Sequence, residues 1–505
     1  MAMWQGLSQK ILDLDRPPPF PVYRFRHDLI REAMLHSLPA SDRRRIHRAI
    51  SLTLREDFPE IAENAPEVLA GHFLEADVPE EAFPLFVKAG ERAEEIGAYE
   101  SALSHYGHAL DLLVKGQGGP DAKASAVRLL RKMIRIGLYV WGHGSAQVNA
   151  LRGTLSEISG GGDPDVQKVF DLMGTVISLG THGPSVFLER FGESEDLEWA
   201  AGGTEEIRLW FTWMRGTALF YNGQAARSFE TLREILPPAR ALRWEAPMDT
   251  EAFSESPAVL LLSILGFSRQ VVGRTKESLA FLSEGERREE CDRSPKSRAY
   301  VGIHKICSAW VREDKEKMSE FAEKTLLLAE SHGLQVWEKF CRLALAWCQG
   351  TKEAEARAET ARKMIERMFP GVAPLYAAIH TGTAFRASLW EKTIELAQFG
   401  RAESRRTGTC IFDSHLLTLE GLALLAMDSR KNRKEARTLL EEAIGESRRS
   451  GALWYGMRAA MALTSIDPEG RNLLRKVLKD FTEEDETELV REAKKLARGT
   501  DPSKP

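Results

Sequence analysis

The sequence has 505 residues, 43% of them hydrophobic and 28% charged, with a formal net charge of −5. That length is too great for one core and predicts two to four domains or a repeat array, while the mild acidity gives no global attraction for nucleic acid. No run of about 18 apolar residues occurs, which excludes a membrane-spanning helix. The opening twenty residues carry Asp13, Asp15, Arg16 and Pro17–Pro19 without an apolar signal core. Five cysteines between Cys291 and Cys410 fit free thiols in a reducing compartment, so the expected location is cytoplasmic.

From Tyr23 the chain reads YRFRHDLIREAMLHSLPASDRRRIHRAI, with seven arginines against Asp28, Glu32 and Asp42. Arg24, Arg26, His27, Arg43, Arg44, Arg45 and His47 make this opening basic; it can grip phosphate, lie on a membrane surface, or dock a further domain. A Leu69-Ala70-x-His72-Phe73 helix follows. Beyond it, helical periodicity runs to the end of the chain, no strand is predicted, and Gly/Pro breaks arrive about every fifteen to twenty residues.

Three stretches share one frame, small-x6-Gly-x4-small. PLFVKAGERAEEIGAYESALSHYGHAL holds Gly90, Gly97 and Ala102; WFTWMRGTALFYNGQAARSFETL holds Gly216, Gly223 and Ser228; LLLSILGFSRQVVGRTKESLAFL holds Gly266, Gly273 and Ser278. HLLTLEGLALLAMDSRKNRKEARTLLEEAI repeats the idea with Gly421 and Ala436 and a turn longer by three residues. Two antiparallel helices need tiny side chains where they cross, and a glycine between them permits the left-handed turn. A large residue four places on (Tyr106, Leu232, Leu282, Leu440) fills the space beside the crossing. Breaks between hairpins are expected at Gly160–Gly162, at Gly202–Gly203 and across Trp244–Ala258.

Within this pattern Trp210, Trp213, Phe220 and Tyr221 fall within about 100° of one another on one helix face. They are either core or the inner wall of a groove that grips a peptide or small effector; Trp454 and Tyr455 pose the same choice. Cys341 and Cys348 share one helix face and are expected as buried small side chains. His105 and His108 stand three apart, but no third ligand lies close in sequence, so packing is preferred to a metal.

The hairpin frame resembles the tetratricopeptide repeat, whose period of about 34 residues predicts roughly ten to twelve hairpins from about 78 to 497. A second resemblance covers the two ends. Phe25, His27 and Leu29–Ala33, the arginine-rich turn Arg43–Arg45, the Arg44/His47 pair and the Leu69–Phe73 helix resemble the junction in bacterial multidomain signalling ATPases of the STAND/AAA type. VLKDFTEEDETELVREAKKLA resembles that family's closing helix. The resemblance implies a nucleotide-binding module, often joined to a class III adenylate/guanylate cyclase domain, placed before Met1, and hence a truncated chain or the downstream half of a split gene. Neither part is legible here: no G-x4-G-K-[ST] loop occurs, and GRTKES at Gly273 lacks its first glycine.

The expectation is therefore all-α: a right-handed tetratricopeptide-like superhelix (an α-solenoid) over 77–497. A helical or winged-helix-like coupling remnant precedes it over 1–76, and 498–505 form a disordered tail. The chain is read as a protein-binding, signal-transducing scaffold without catalytic residues, metal or cofactor. Its expected partner is a separately encoded ATPase or cyclase subunit docked through residues 20–75. The rivals are an enzyme that carries the cyclase or ATPase name by family inheritance, and a transcriptional regulator using the basic opening on DNA.

Overall fold

The computed structural model describes residues 11–16, 22–117, 121–159, 174, 176–191, 205–242, 256–288, 294–467, 469–481 and 487–499. The loops expected at Gly160–Gly162, at Gly202–Gly203 and over most of Trp244–Ala258, and the tail beyond Gly499, lie outside them. The chain divides into two compact units, residues 1–96 with 101–126 and residues 97–100 with 127–505. Among the described residues no helix is long and apolar enough to cross a membrane.

The first unit opens on two antiparallel strands, β1 (Leu12–Arg16) and β2 (Val22–Phe25), pairing Leu12 with Phe25, Asp13 with Arg24 and Leu14 with Tyr23. These strands correct the strand-free expectation. LDLDR alternates apolar and charged side chains as a strand does, but five residues are too few for the alternation to stand out. Six helices follow: α1 (Asp28–Ser37), α2 (Ala40–Asp57), α3 (Pro59–Asn64), α4 (Pro66–Glu75), α5 (Pro79–Glu95) and α6 (Tyr99–Val114). Pro59, Pro66 and Pro79 each open a helix, where the missing N–H costs nothing and the fixed φ suits the first turn. Leu69, Phe73, Phe86 and Tyr106 form the core of α4–α6. The expected boundary at 76/77 falls between α4 and α5, which pack on each other inside this unit.

The second unit begins with α7 (Ala122–Val140) and α8 (Ala146–Ser159), a helical segment over 176–181, and α9 (Pro184–Phe191). Then come α10 (Glu205–Tyr221), α11 (Ala225–Glu234), α12 (Leu236–Ala241), α13 (Pro257–Val271), α14 (Thr275–Glu286), α15 (Pro295–Arg312) and α16 (Lys315–Ser331). The rest are α17 (Gln335–Gln349), α18 (Lys352–Met368), α19 (Ala373–Arg386), α20 (Trp390–Thr407), α21 (Asp413–Ala426), α22 (Arg430–Ser450), α23 (Leu453–Leu463), α24 (Gly470–Leu478) and α25 (Glu488–Arg498). From α10 onward, first and second helices pair as hairpins, and each hairpin packs on the next. The architecture is an all-α, tetratricopeptide-like solenoid.

The frame glycines lie at the crossings. A Cβ added at Gly266 would sit 2.5 Å from Leu282 Cγ; one at Gly216 would overlap Leu232, one at Gly90 Tyr106, and one at Gly421 would press on Leu440. Ser228, deeply buried, donates from its hydroxyl to the Gly216 carbonyl at 2.7 Å, which ties the second helix to the first where they are nearest. The turn glycines Gly97, Gly223 and Gly273 take φ of +72°, +78° and +82°, a region that costs other residues strain.

The hairpins of the second unit also touch across the array. The Asn222 amide donates to the Gly408 carbonyl at 3.0 Å, and Arg274 to the Asp480 carbonyl at 2.8 Å. The Gly273 turn lies against the Phe481 ring, and Gly142 against the Met368 backbone, where His143 N–H donates to the Met368 carbonyl at 2.7 Å. Turns early in the unit thus rest on turns late in it. Ordinary solenoid repeats contact only their neighbours; this unit closes on itself.

Substituting Gly266→Ala is expected to destabilise the chain by about 1–3 kcal/mol through overpacking. In a Leu282→Ala background the same change is expected to cost far less, because the colliding branch is gone. Urea unfolding of the four chains, read as a double-mutant cycle, checks the coupling.

Candidate functional site

The first helices of successive hairpins turn one face each toward a common centre in the second unit. On α10 that face is Trp210, Trp213, Met214, Thr217 and Tyr221; on α15 it is Tyr300, Ile303, His304 and Cys307. Both follow the i, i+3, i+4, i+7 spacing of a single helical stripe. With Trp337 and Phe340 of α17 and Tyr376 of α19 they line a cavity of about 140 Å³.

Its wall is a chain of touching rings. Trp210 meets Trp213 edge-on at 5.3 Å, Trp213 meets Tyr300 at 6.2 Å, and Tyr300 meets Trp337 at 6.1 Å. These are the offset and edge-to-face separations that aromatic quadrupoles favour. Burial pushes the Tyr221 and Tyr376 phenols and the Cys307 thiol above their ordinary ranges, so all three are neutral at physiological pH. Tyr221, Cys307 and Tyr376 all belong to the lining of this cavity.

Two histidines belong to this lining. His304 Nδ1 lies 2.8 Å from the Tyr300 carbonyl. A carbonyl only accepts, so Nδ1 carries the proton and Nε2 keeps a bare lone pair; burial lowers this histidine to about 4. His143 stands edge-on to Phe369 at 4.4 Å and is lowered to about 3 by burial. A Cβ at residue 180 would overlap its ring, so Gly180 makes room for it.

Of the aromatic stripe read from the sequence, Trp210, Trp213 and Tyr221 line the cavity. Phe220 instead turns into the core, fully buried and 5.3 Å from Phe267. Trp454 and Tyr455 are 0% and 1% exposed and pack within the main core cluster; neither belongs to the cavity lining. Sequence reasoning missed Tyr300, His304, Cys307, Trp337 and Tyr376. The stripe on α15 was available as a signal, but its hairpin lacks the glycine frame. Cys341 and Cys348 are buried in α17.

The basic opening lies on the first unit. Arg24 is on β2, Arg26 follows that strand, His27 precedes α1, and Arg43, Arg44, Arg45 and His47 are on α2. Arg24 pairs with Asp15 at 3.1 Å, Arg26 with Asp13 at 2.9 Å, Arg44 with Asp77 at 3.3 Å and Arg45 with Asp42 at 3.3 Å. Around these charges the helices lack a core: α1 and α3 bury no residue and α2 buries only Ser51. Their apolar side chains face outward, with Leu29 78% and Met34 51% exposed and Ile46, Leu52 and Phe58 also uncovered.

His47 Nδ1 and His72 Nδ1 lie 2.9 Å apart and join α2 to α4. Such a contact needs one nitrogen protonated and the other bare. Burial first, and the neighbouring His47 second, lower His72 below its ordinary 6.5.

No family model matches the chain. It is 24% identical over 452 residues to an uncharacterized protein of Rhizobium meliloti (strain 1021), an alignment covering 88% of this chain and 44% of that protein. The chain thus spans less than half the length of the curated relative it matches. Among solved structures it is similar to a Rap protein complexed with competence and sporulation factor, with a TM-score of 0.42 and 14% identity over 71% of this chain and 99% of that one. It is also similar to yeast Tom70, with a TM-score of 0.33 and 12% identity over 90% of this chain and 96% of that one.

Because the folded pKa of His72 lies below 6.5, the contact contributes fully above that pH. Its contribution falls as pH drops through the lowered value, since the unfolded chain takes the proton first. The first unit is expected to lose urea resistance between about pH 7 and pH 5, and His72→Gln is expected to flatten that slope. Tyrosine and tryptophan fluorescence across the two pH values checks it.

Proposed function

We propose that this chain is a non-catalytic regulatory scaffold. It docks a separately encoded ATPase or cyclase subunit through residues 20–75, and its helical array senses an effector. One observation carries the docking half of this reading. Helices α1 to α3 expose Leu29, Met34, Leu52 and Phe58 while burying almost nothing. α1 and α3, of ten and six residues, are short helices that bury no side chain and are marginal alone in water; exposed apolar side chains suit an interaction surface. The 44% share of the Rhizobium meliloti relative agrees with a region that works beside further domains.

The two rivals meet specific obstacles. At GRTKES, the nearest likeness to a phosphate loop, the chain makes a hairpin turn: Gly273 N–H donates to the Gln270 carbonyl and Arg274 N–H to the Arg269 carbonyl. Phe481 fills the space beside Gly273, where a phosphate loop would need room for its anion. Against DNA binding, five of the seven arginines in the opening, Arg24, Arg26, Arg31, Arg44 and Arg45, face carboxylates of this chain. Such surface pairs are weak individually, but together they leave little net positive field for a phosphate backbone.

The full chain carrying Leu29→Asp and Met34→Asp is expected to lose association with a co-expressed ATPase or cyclase subunit by at least about tenfold, while its circular dichroism is unchanged. Capture of that subunit undiminished by these changes, or by deletion of residues 1–75, overturns the docking assignment. Magnesium-ATP and magnesium-GTP are expected to leave the melting temperature unmoved; a saturable rise would favour the enzyme.

A further inference from the structure

The cavity of the second unit has a size and a polarity that together narrow what it holds. At about 140 Å³ it is close to the roughly 150 Å³ apolar cavity that accepts benzene, and far below a drug-sized pocket. One aromatic ring fits. The touching rings of Trp210, Trp213, Tyr300 and Trp337 offer the edges and faces against which such a ring packs.

The polar atoms select among single-ring compounds. His304 Nε2 is a lone pair without a donor, because Nδ1 is fixed on the Tyr300 carbonyl. The Tyr221 and Tyr376 side chains line the cavity, and their hydroxyls make no hydrogen bond to any described residue. His304, Tyr221 and Tyr376 all line this one small cavity, so a ligand that fills it meets an acceptor and two hydroxyls. A pure hydrocarbon would leave all three unsatisfied, which costs free energy in a desolvated site. A carboxylate would face the His304 lone pair and lose its hydration in a mainly aromatic box, and Arg135 of the lining is already engaged within the chain. A cation would be drawn to the ring faces, but no Asp or Glu lines the cavity and Arg135 does.

We propose that the cavity is a binding site for a neutral monocyclic phenol, whose ring packs among the indoles and whose hydroxyl donates to His304 Nε2 and accepts from a cavity tyrosine. This deepens the sensing half of the scaffold reading by giving the effector a chemical class, and it rests on that reading for its regulatory meaning only.

The test uses the full chain and four probes: phenol, toluene, benzoate and benzyltrimethylammonium. Tryptophan fluorescence and thermal shift are both recorded. Phenol is expected to bind saturably, at least about tenfold tighter than toluene, with benzoate and the ammonium weaker still. Tyr376→Phe and His304→Leu are each expected to bring the phenol-to-toluene ratio toward one while toluene binding persists. Thr217→Met, which fills the cavity, is expected to abolish binding of both. Absence of a saturable phenol response in the wild-type chain overturns the proposal, as does equal or tighter binding of any other probe. So does a ratio unchanged in whichever of the two polar variants folds. Leu29→Asp with Met34→Asp leaves these titrations unchanged, so a failed docking assay and a failed ligand assay are separable.

Discussion

The second unit depends on how closely two helices approach inside each hairpin. At Gly216 and Gly266 the first helix carries no side chain, and Leu232 and Leu282 from the second helix occupy the vacated space. Any Cβ there collides, so the interhelix distance is set by hydrogen on one side and a leucine branch on the other. That fixed distance makes hairpins stack in register, and the stacking brings the faces of α10, α15, α17 and α19 to one centre. The cavity is thus a product of crossings that lie elsewhere on the same helices.

Closure adds a second constraint. Gly273 serves two ends at once: its left-handed φ of +82° ends α13, and its bare surface admits Phe481 from beyond α24. The same turn supplies Arg274, which caps the Asp480 carbonyl. A residue chosen for local turn chemistry therefore also decides a contact some two hundred positions away in sequence. Around the hub this leaves tyrosine, histidine and cysteine side chains in surroundings dry enough to hold each of them neutral.

Much of the fold was readable because glycine is a visible mark. Hairpins α10/α11 and α13/α14 follow the small-x6-Gly-x4-small frame and were found by it. The hairpins between 295 and 407 were blurred for two physical reasons. In α15/α16 and α19/α20 the left-handed turn positions are filled by Glu313 and Ser388, both at φ 59°, where tertiary packing enforces a conformation that the residue type does not advertise. Their close approaches also sit at other places, Gly302 against Thr325 and Gly382 against Trp347. The candidate site was legible only on α10, where four aromatics crowd one stripe. Phe220 shows the limit of that reading: it lies within the same arc yet faces the core, because one stripe spans both a cavity edge and a packed neighbour. The short β1–β2 pair and the uncovered helices α1 to α3 needed three dimensions, since a sequence does not state which apolar face finds a cover.

An open coil of repeats behaves as a spring: its pitch changes by small adjustments at every joint, and its ends fray before its middle. Rivets across the diameter, such as Asn222 on Gly408 and Arg274 on Asp480, remove both freedoms. Loosening one joint then requires distant fasteners to release with it, which couples the early and late hairpins of the second unit and favours their opening together over fraying from the ends.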